Sequence, residues 1–250
     1  VIRIDGRAHD QLRDVKLTPN YLRFAEGSVL IEWGKNKVIC AATLEPRVPP
    51  HLLGSGTGWV TAEYAMLPRS AKQRIPRDSG RGKPNGRGIE IQRLIGRALR
   101  SVVNLKAFGE RSILVDCDVL ESDGGTRTAS ITGAFVALAL AIERLRQDQQ
   151  IGANAVILKD YLAAASVGIV EGKPVLDLNY LEDSSAETDM NVVLTGDGRI
   201  VEVQGTAEKD PFTQQQFDQM MSLARKGISE LVAIQRQVVT LPTAKDAANG

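Results

Sequence analysis

The chain has 250 residues, 43% of them hydrophobic and only 4% aromatic, so aliphatic side chains must build most of the core. Its 31 basic and 30 acidic residues leave a formal net charge of +1. That balance excludes a global field drawing the chain to nucleic acid or membrane, and any polyanion must be met by local patches.

The N-terminus, VIRIDGRAHDQLRDV, is polar and carries no signal-peptide pattern. No run reaches the ~18 apolar residues of a membrane helix, so a soluble, cytoplasmic protein is expected. The first sixty-odd residues read as β. SVLIEWG (28–34) and KVICAATLEP (37–46) alternate or run apolar, and Gly34-Lys35-Asn36 between them predicts a hairpin. WVTAEYAML (59–67) reads as a further strand. Residues 68–88, PRSAKQRIPRDSGRGKPNGRG, are basic, rich in Gly and Pro and nearly empty of core residues, which predicts a long exposed loop of functional kind. IEIQRLIGRALRSVVNL then places Ile91, Leu94, Ile95, Ala98, Leu99, Val102 and Val103 at helical spacing. A strand, SILVDCDVL (112–120), a glycine turn and an apolar helix, AFVALALAIERL (134–145), follow. Cys40 and Cys117 lie in apolar strand-like runs and read as reduced core thiols.

The second half returns to β. AAASVGIV and PVLDLNYL flank Glu171-Gly172-Lys173, and MNVVLTG and IVEVQGTAE flank Gly196-Asp197-Gly198, so two more hairpins are expected. Thr213 followed by Gln216 is a capping-box pattern that opens an amphipathic helix through about Val238. The tail, 241–250, reads as mobile. With no linker in view, residues 1–240 read as one mixed α/β domain.

Chemistry concentrates in ESDGGTRTASITGAF (121–135). A strand-to-helix turn of this kind offers unpaired backbone N–H groups and the positive end of a helix dipole. Gly125 permits close approach, Thr126, Thr128 and Ser130 add hydroxyls, and Arg127 adds a planar cationic fork. The composition suits a phosphate. An ordinary capped turn with a solvated arginine is the alternative. GxxxxGK[ST] is absent, so this is no nucleotide-hydrolase P-loop. Arg87 precedes the other apolar helix, where an anion would also be welcome. DLNYLEDSSAETDMNVV carries Asp177, Glu182, Asp183, Glu187 and Asp189. Of these, Asp183 and Asp189 are placed to converge on a hard cation, or else to face water as turn residues. His9 and His51 sit in no catalytic motif. The inventory of arginine, hydroxyl and carboxylate suits phosphoryl transfer.

Long motifs in order now identify a resemblance. RIDGRAHDQLRDV, EYAMLPR, GIEIQRLIGRALR, DCDVLESDGGTRTASITGAFVAL and LDLNYLEDSSAETDMNVVLTGDGRIVEVQGTAE resemble the bacterial ribonuclease PH family nearly end to end. The resemblance implies an α+β fold of mixed sheets packed with helices, related to domain 2 of the small-subunit ribosomal protein S5. It also implies a hexameric ring of three dimers. The implied activity is phosphate-dependent 3′-to-5′ trimming of tRNA precursors. In it Arg87, Gly125, Thr126 and Arg127 bind phosphate, with Thr128 and Ser130 close by. Asp183 and Asp189 serve catalysis and bind Mg²⁺ or Mn²⁺, and Arg69, Arg74 and Arg77 grip tRNA. Two other readings stand beside it: a non-catalytic RNA-binding ring subunit, and a small-molecule kinase on a related fold, for which no glycine-rich ATP loop is present.

Overall fold

The computed structural model describes residues 3–77 and 86–242; residues 78–85 of the basic loop and 243–250 of the tail lie outside the described residues. Strands β1 (Val15–Pro19), β2 (Gly27–Trp33), β3 (Asn36–Glu45), β4 (Trp59–Met66) and β5 (Ser112–Glu121) form one sheet in the order β1-β2-β3-β5-β4. Strands β6 (Leu162–Val170), β7 (Lys173–Leu176), β8 (Thr188–Thr195) and β9 (Ile200–Ala207) form a second, ordered β7-β6-β8-β9. β4 and β5 run parallel; the other neighbours pair antiparallel. The β2–β3 and β6–β7 hairpins close as expected, Trp33 facing Asn36 and Val170 facing Lys173. Glu171 and Gly172 both take positive φ, 49° and 71°, which is the backbone a two-residue type I′ turn needs.

Among the described residues, the α-helices that join these strands are α1 (Gly86–Val102), α2 (Leu105–Phe108), α3 (Thr126–Gln147), α4 (Tyr180–Ser185) and α5 (Gln214–Arg236). α3 lies between the sheets, against β2, β3 and β5 of one and β6 of the other, while α1 covers β4 and α5 covers β6 and β7. The inner faces of both sheets feed one hydrophobic core around α3. Cys40 and Cys117 face each other across β3 and β5, buried and unbridged. The Thr213 capping box is present, with Thr213 and Gln216 capping each other.

Three expectations need correction. α3 begins at Thr126, eight residues before the apolar run, because its hydroxyl residues find partners inside the fold rather than ending the helix. As a whole, α3 is long and apolar enough to cross a membrane, contrary to the count of apolar runs; 83% of its most apolar stretch is buried in this protein's own interior, so it is a core helix. Finally, PVLDLNYL is not one strand. β7 stops at Leu176, Asp177 turns left-handed at φ 57°, and Asn179 caps α4 in a capping box with Glu182.

Candidate active site

The glycine turn is built by its neighbours more than by itself. Gly124 and Gly125 hold φ of 77° and 74°, left-handed backbone that glycine adopts at low cost. A Cβ on Gly124 would come within 2.7 Å of the Asn179 carbonyl carbon and the Tyr180 nitrogen, so the turn lies directly on the start of α4. Arg13 grips the turn from the other side, donating to the Asp123 carbonyl at 2.6 Å and the Gly124 carbonyl at 3.2 Å. Asn36 adds a donor to the Gly124 carbonyl and an acceptor for the Asp123 N–H, both at 2.6 Å.

Arg13 is itself fixed by Asp177, 164 residues away. The buried carboxylate accepts from the Arg13 backbone N–H at 2.7 Å, Arg13 Nη2 at 2.6 Å, Trp33 Nε1 at 2.9 Å and Arg7 Nη1 at 3.2 Å. Burial alone would raise its pKa, but the guanidinium of Arg13, its hydrogen bonds and Arg7 outweigh that and hold the carboxyl below its usual range. Arg3 pairs with Glu182 of α4, its Nε donating to Oε1 at 2.7 Å. The arginines of RIDGRAHDQLRDV are thus a brace beneath the turn.

Gly125 caps α3, so the first N–H groups of the helix open onto this place. Arg127 reaches outward, donating to Gln204 of β9 at 3.2 Å and Glu90 of α1 at 3.4 Å. Arg87 stands exposed in the first turn of α1. The charges of Arg87 and Arg127 both act on Asp183, Asp189 and Tyr64, so the two arginines and two acids share one site. Thr126 bonds Tyr64, Oγ1 to phenol oxygen 2.8 Å. The other two hydroxyls turn inward. Thr128 Oγ1 donates to the Gly125 carbonyl at 2.8 Å, shaping the cap. Ser130 is 0% exposed in the core, its carbonyl approached by both thiols, and the fold does not bring its hydroxyl to the site.

Asp183 sits on α4, and Asp189 is the second residue of β8. Burial raises the pKa of Asp183, opposed by Arg87 and Arg127. Burial, then the neighbouring Asp183 and Glu208, push Asp189 up to about 6 against the pull of both arginines. Two carboxylates that disfavour each other's ionisation are a setting that a cation relieves. Among the described residues no group of three or more His, Cys, Asp or Glu could hold a metal ion. A hard ion bound here would draw on two carboxylates and take its other oxygens from substrate and water, the donor set that Mg²⁺ accepts.

Arg69, Arg74 and Arg77 are exposed on the first part of the basic loop. The loop's base is fixed beside the turn: Ser122 donates to the Ser70 carbonyl through N at 2.8 Å and Oγ at 3.0 Å. Arg13, Asn36, Tyr64, Gln204 and Glu208 show no site pattern of their own in the sequence, although Arg13, Tyr64, Gln204 and Glu208 lie in the long motifs that carry the resemblance. A cleft of about 590 Å³ lined by Arg7, Arg13, Asp123, Asn179 and Leu181 opens on the far side of the turn. It touches neither Arg127 nor the acid pair, and its arginines are paired with Asp177.

A two-sheet fold with a helix N-terminus beside paired carboxylates has the groups that phosphoryl transfer uses, and comparison with known proteins supplies the family. Residues 11–142 match the model of the 3′ exoribonuclease family, domain 1, and residues 160–227 that of domain 2. Ribonuclease PH of Bacillus cereus (strain G9842) is 56% identical over 239 residues, 95% of this chain and 97% of the relative. Ribonuclease PH of Bacillus anthracis matches to the same extent. In fold, rice (Oryza sativa) Rrp46 superposes with a TM-score of 0.76 at 19% identity, over 95% of this chain and 100% of that one. A chain of the Archaeoglobus fulgidus exosome, with RNA bound to its active site, gives 0.77 at 23% identity over 92% and 91%. The chain belongs to the 3′ exoribonuclease family, in its ribonuclease PH group.

Proposed function

We propose that the N-terminus of α3 holds inorganic phosphate and aims it at the last phosphodiester of an RNA chain. The chain is a phosphorolytic 3′-to-5′ exoribonuclease, releasing one nucleoside diphosphate per cycle and leaving RNA one residue shorter. The observation that carries the residue assignment is the convergence of Arg127 and Arg87 with the Asp183–Asp189 pair at the mouth of α3.

Arg127, Arg87 and the open N–H groups of Thr126 and Arg127 bind and orient the phosphate oxygens. Attack exchanges one phosphate linkage for another, so excess nucleoside diphosphate drives the step backwards as polymerisation. Asp183 and Asp189 would hold Mg²⁺ or Mn²⁺, which when bound supplies charge neutralisation at the scissile phosphate. Gln204 and Glu90 hold the Arg127 side chain in place before phosphate arrives. Arg69, Arg74 and Arg77, exposed beside the site, suit the grip on a folded RNA such as a tRNA precursor. Assembly into a hexameric ring, a trimer of dimers, is supported by the fold shared with exosome core chains and by large apolar side chains left in the open, Phe24 being 84% exposed. The intact quartet of Arg87, Arg127, Asp183 and Asp189 speaks against a non-catalytic ring subunit.

The test is phosphate titration of Arg127→Ala. Its kcat/KM for phosphate should fall by roughly 10²–10³, the scale for one preorganised charge stabiliser, with RNA affinity unchanged. Normal degradation at limiting phosphate would refute the assignment.

A further inference from the structure

The geometry points to Tyr64 as a positioning residue for phosphate: its hydroxyl donates to Thr126 Oγ1 and so turns the Thr126 proton toward a phosphate oxygen at the mouth of α3. The inference rests on the reading that this turn binds phosphate, and it adds a residue from a different sheet strand to that site.

Tyr64 projects from β4 into the interior and is 5% exposed, and Thr126, the first residue of α3, is 6% exposed. Their oxygens lie 2.8 Å apart, and either could donate. A buried phenol needs a partner, and Thr126 is its hydrogen-bond partner in this structure. A hydroxyl has one proton and two acceptor sites, so the direction of this bond decides what Thr126 can offer a ligand. If Thr126 donated to Tyr64, it would turn a lone pair toward the incoming anion. If Tyr64 donates, the Thr126 proton is left to meet the anion, and the two bonds polarise each other in the same direction.

The surroundings favour the second arrangement. Arg87 and Arg127 both act on the Tyr64 hydroxyl, which places it at the floor of the anion site. Burial pushes the phenol pKa up, opposed by Thr126 and the two arginines, so Tyr64 keeps the proton it would donate; of the two hydroxyls the phenol is the stronger acid and therefore the better donor. Tyr64 never touches phosphate. It acts through Thr126, and Thr126 could not hold one orientation without it.

Tyr64→Phe keeps the ring and removes only the donor. Thr126→Val keeps the shape and removes the hydroxyl, and Thr126→Ser restores it. Each loss should raise the KM for inorganic phosphate about tenfold, the scale of one neutral hydrogen bond. The KM for a short RNA should not change, and Tm should stay within a few degrees. Because the two hydroxyls form one chain, Tyr64→Phe combined with Thr126→Val should also lose about tenfold, and Thr126→Ser should bind phosphate normally. Calorimetric titration of inorganic phosphate, without RNA, gives the same comparison independently of turnover. If Thr126→Val weakens phosphate and Tyr64→Phe does not, the relay is wrong while the phosphate site stands. A double variant about a hundredfold worse would show two independent groups and also overturn the relay. If Thr126→Val, Tyr64→Phe and Arg127→Ala all leave phosphate binding intact, the phosphate site itself is misplaced.

Discussion

Replacing Asp177 with alanine should damage the fold and the site together. The carboxylate is 1% exposed and is the point where Arg7, Arg13 and Trp33 meet. Removing it takes the nearest counter-ion from the Arg13 guanidinium, which is only 6% exposed and keeps just the more distant Asp123 carboxylate at 3.9 Å. Breaking a buried pair in this way costs about 3–5 kcal/mol. For a chain of this length that lowers Tm by roughly 6–20 °C. Arg13 also supplies two bonds to the carbonyls of the glycine turn, so if that turn holds phosphate as proposed, the KM for phosphate should rise even at temperatures where the variant is fully folded. The pH dependence follows from the depressed pKa. The stabilisation is present above the ordinary aspartate range and is lost as pH falls through the lower folded value. The wild type should therefore lose stability on acidification below about pH 4, and Asp177→Ala should lose less over the same interval. Thermal melts from pH 3 to 7 and phosphate titrations at 15–20 °C below each Tm provide the check. A Tm within 2 °C of wild type, or an unchanged KM for phosphate in the folded variant, would refute the brace.

Asp189→Asn should abolish turnover without unfolding the chain. Because the folded pKa is raised to about 6, ionisation of Asp189 weakens the fold as pH rises from about 4 to 6, and asparagine removes that cost; a Tm lower than wild type at pH 7 would contradict this. Protons compete with metal at the same carboxylate, so the Mg²⁺ concentration needed for half-maximal activity should rise about tenfold per pH unit below 6, and a flat requirement would count against Asp189 as a ligand. Replacing Arg69, Arg74 and Arg77 together should flatten the salt slope of tRNA binding by about two, at 0.7–0.9 per phosphate contact. A short single strand should still be trimmed at a near-normal rate, and equal losses on both substrates would remove the arginines from the grip.

What could be read in the sequence was local. The hairpins at Gly34-Lys35 and Glu171-Gly172 announce themselves because each turn holds a glycine at positive φ, 57° at Gly34 and 71° at Gly172. The Thr213 capping box did so because its partners are three residues apart. Asn179 and Glu182 carry the same signal for α4, but the apolar Leu178 and Leu181 around it resemble the continuation of a strand. The start of α3 was hidden because Thr126, Thr128, Ser130 and Thr132 look like loop composition until Tyr64, the Gly125 carbonyl and the Ala164 backbone satisfy three of them. The glycine turn and the acid pair were legible as motifs. What holds them was not, since Arg13 and Asp177 meet across 164 residues and no spacing rule connects them. Tyr64 looked like any inward residue of an alternating strand.

Phosphate, not water, is the attacking group in a phosphorolytic enzyme. Incubating the chain with unlabelled RNA and radiolabelled inorganic phosphate distinguishes the two. The label should appear in nucleoside diphosphate, with release stopping when phosphate is withdrawn and falling steeply in Arg127→Ala. Unlabelled nucleoside monophosphate, formed equally well without phosphate, would contradict the account.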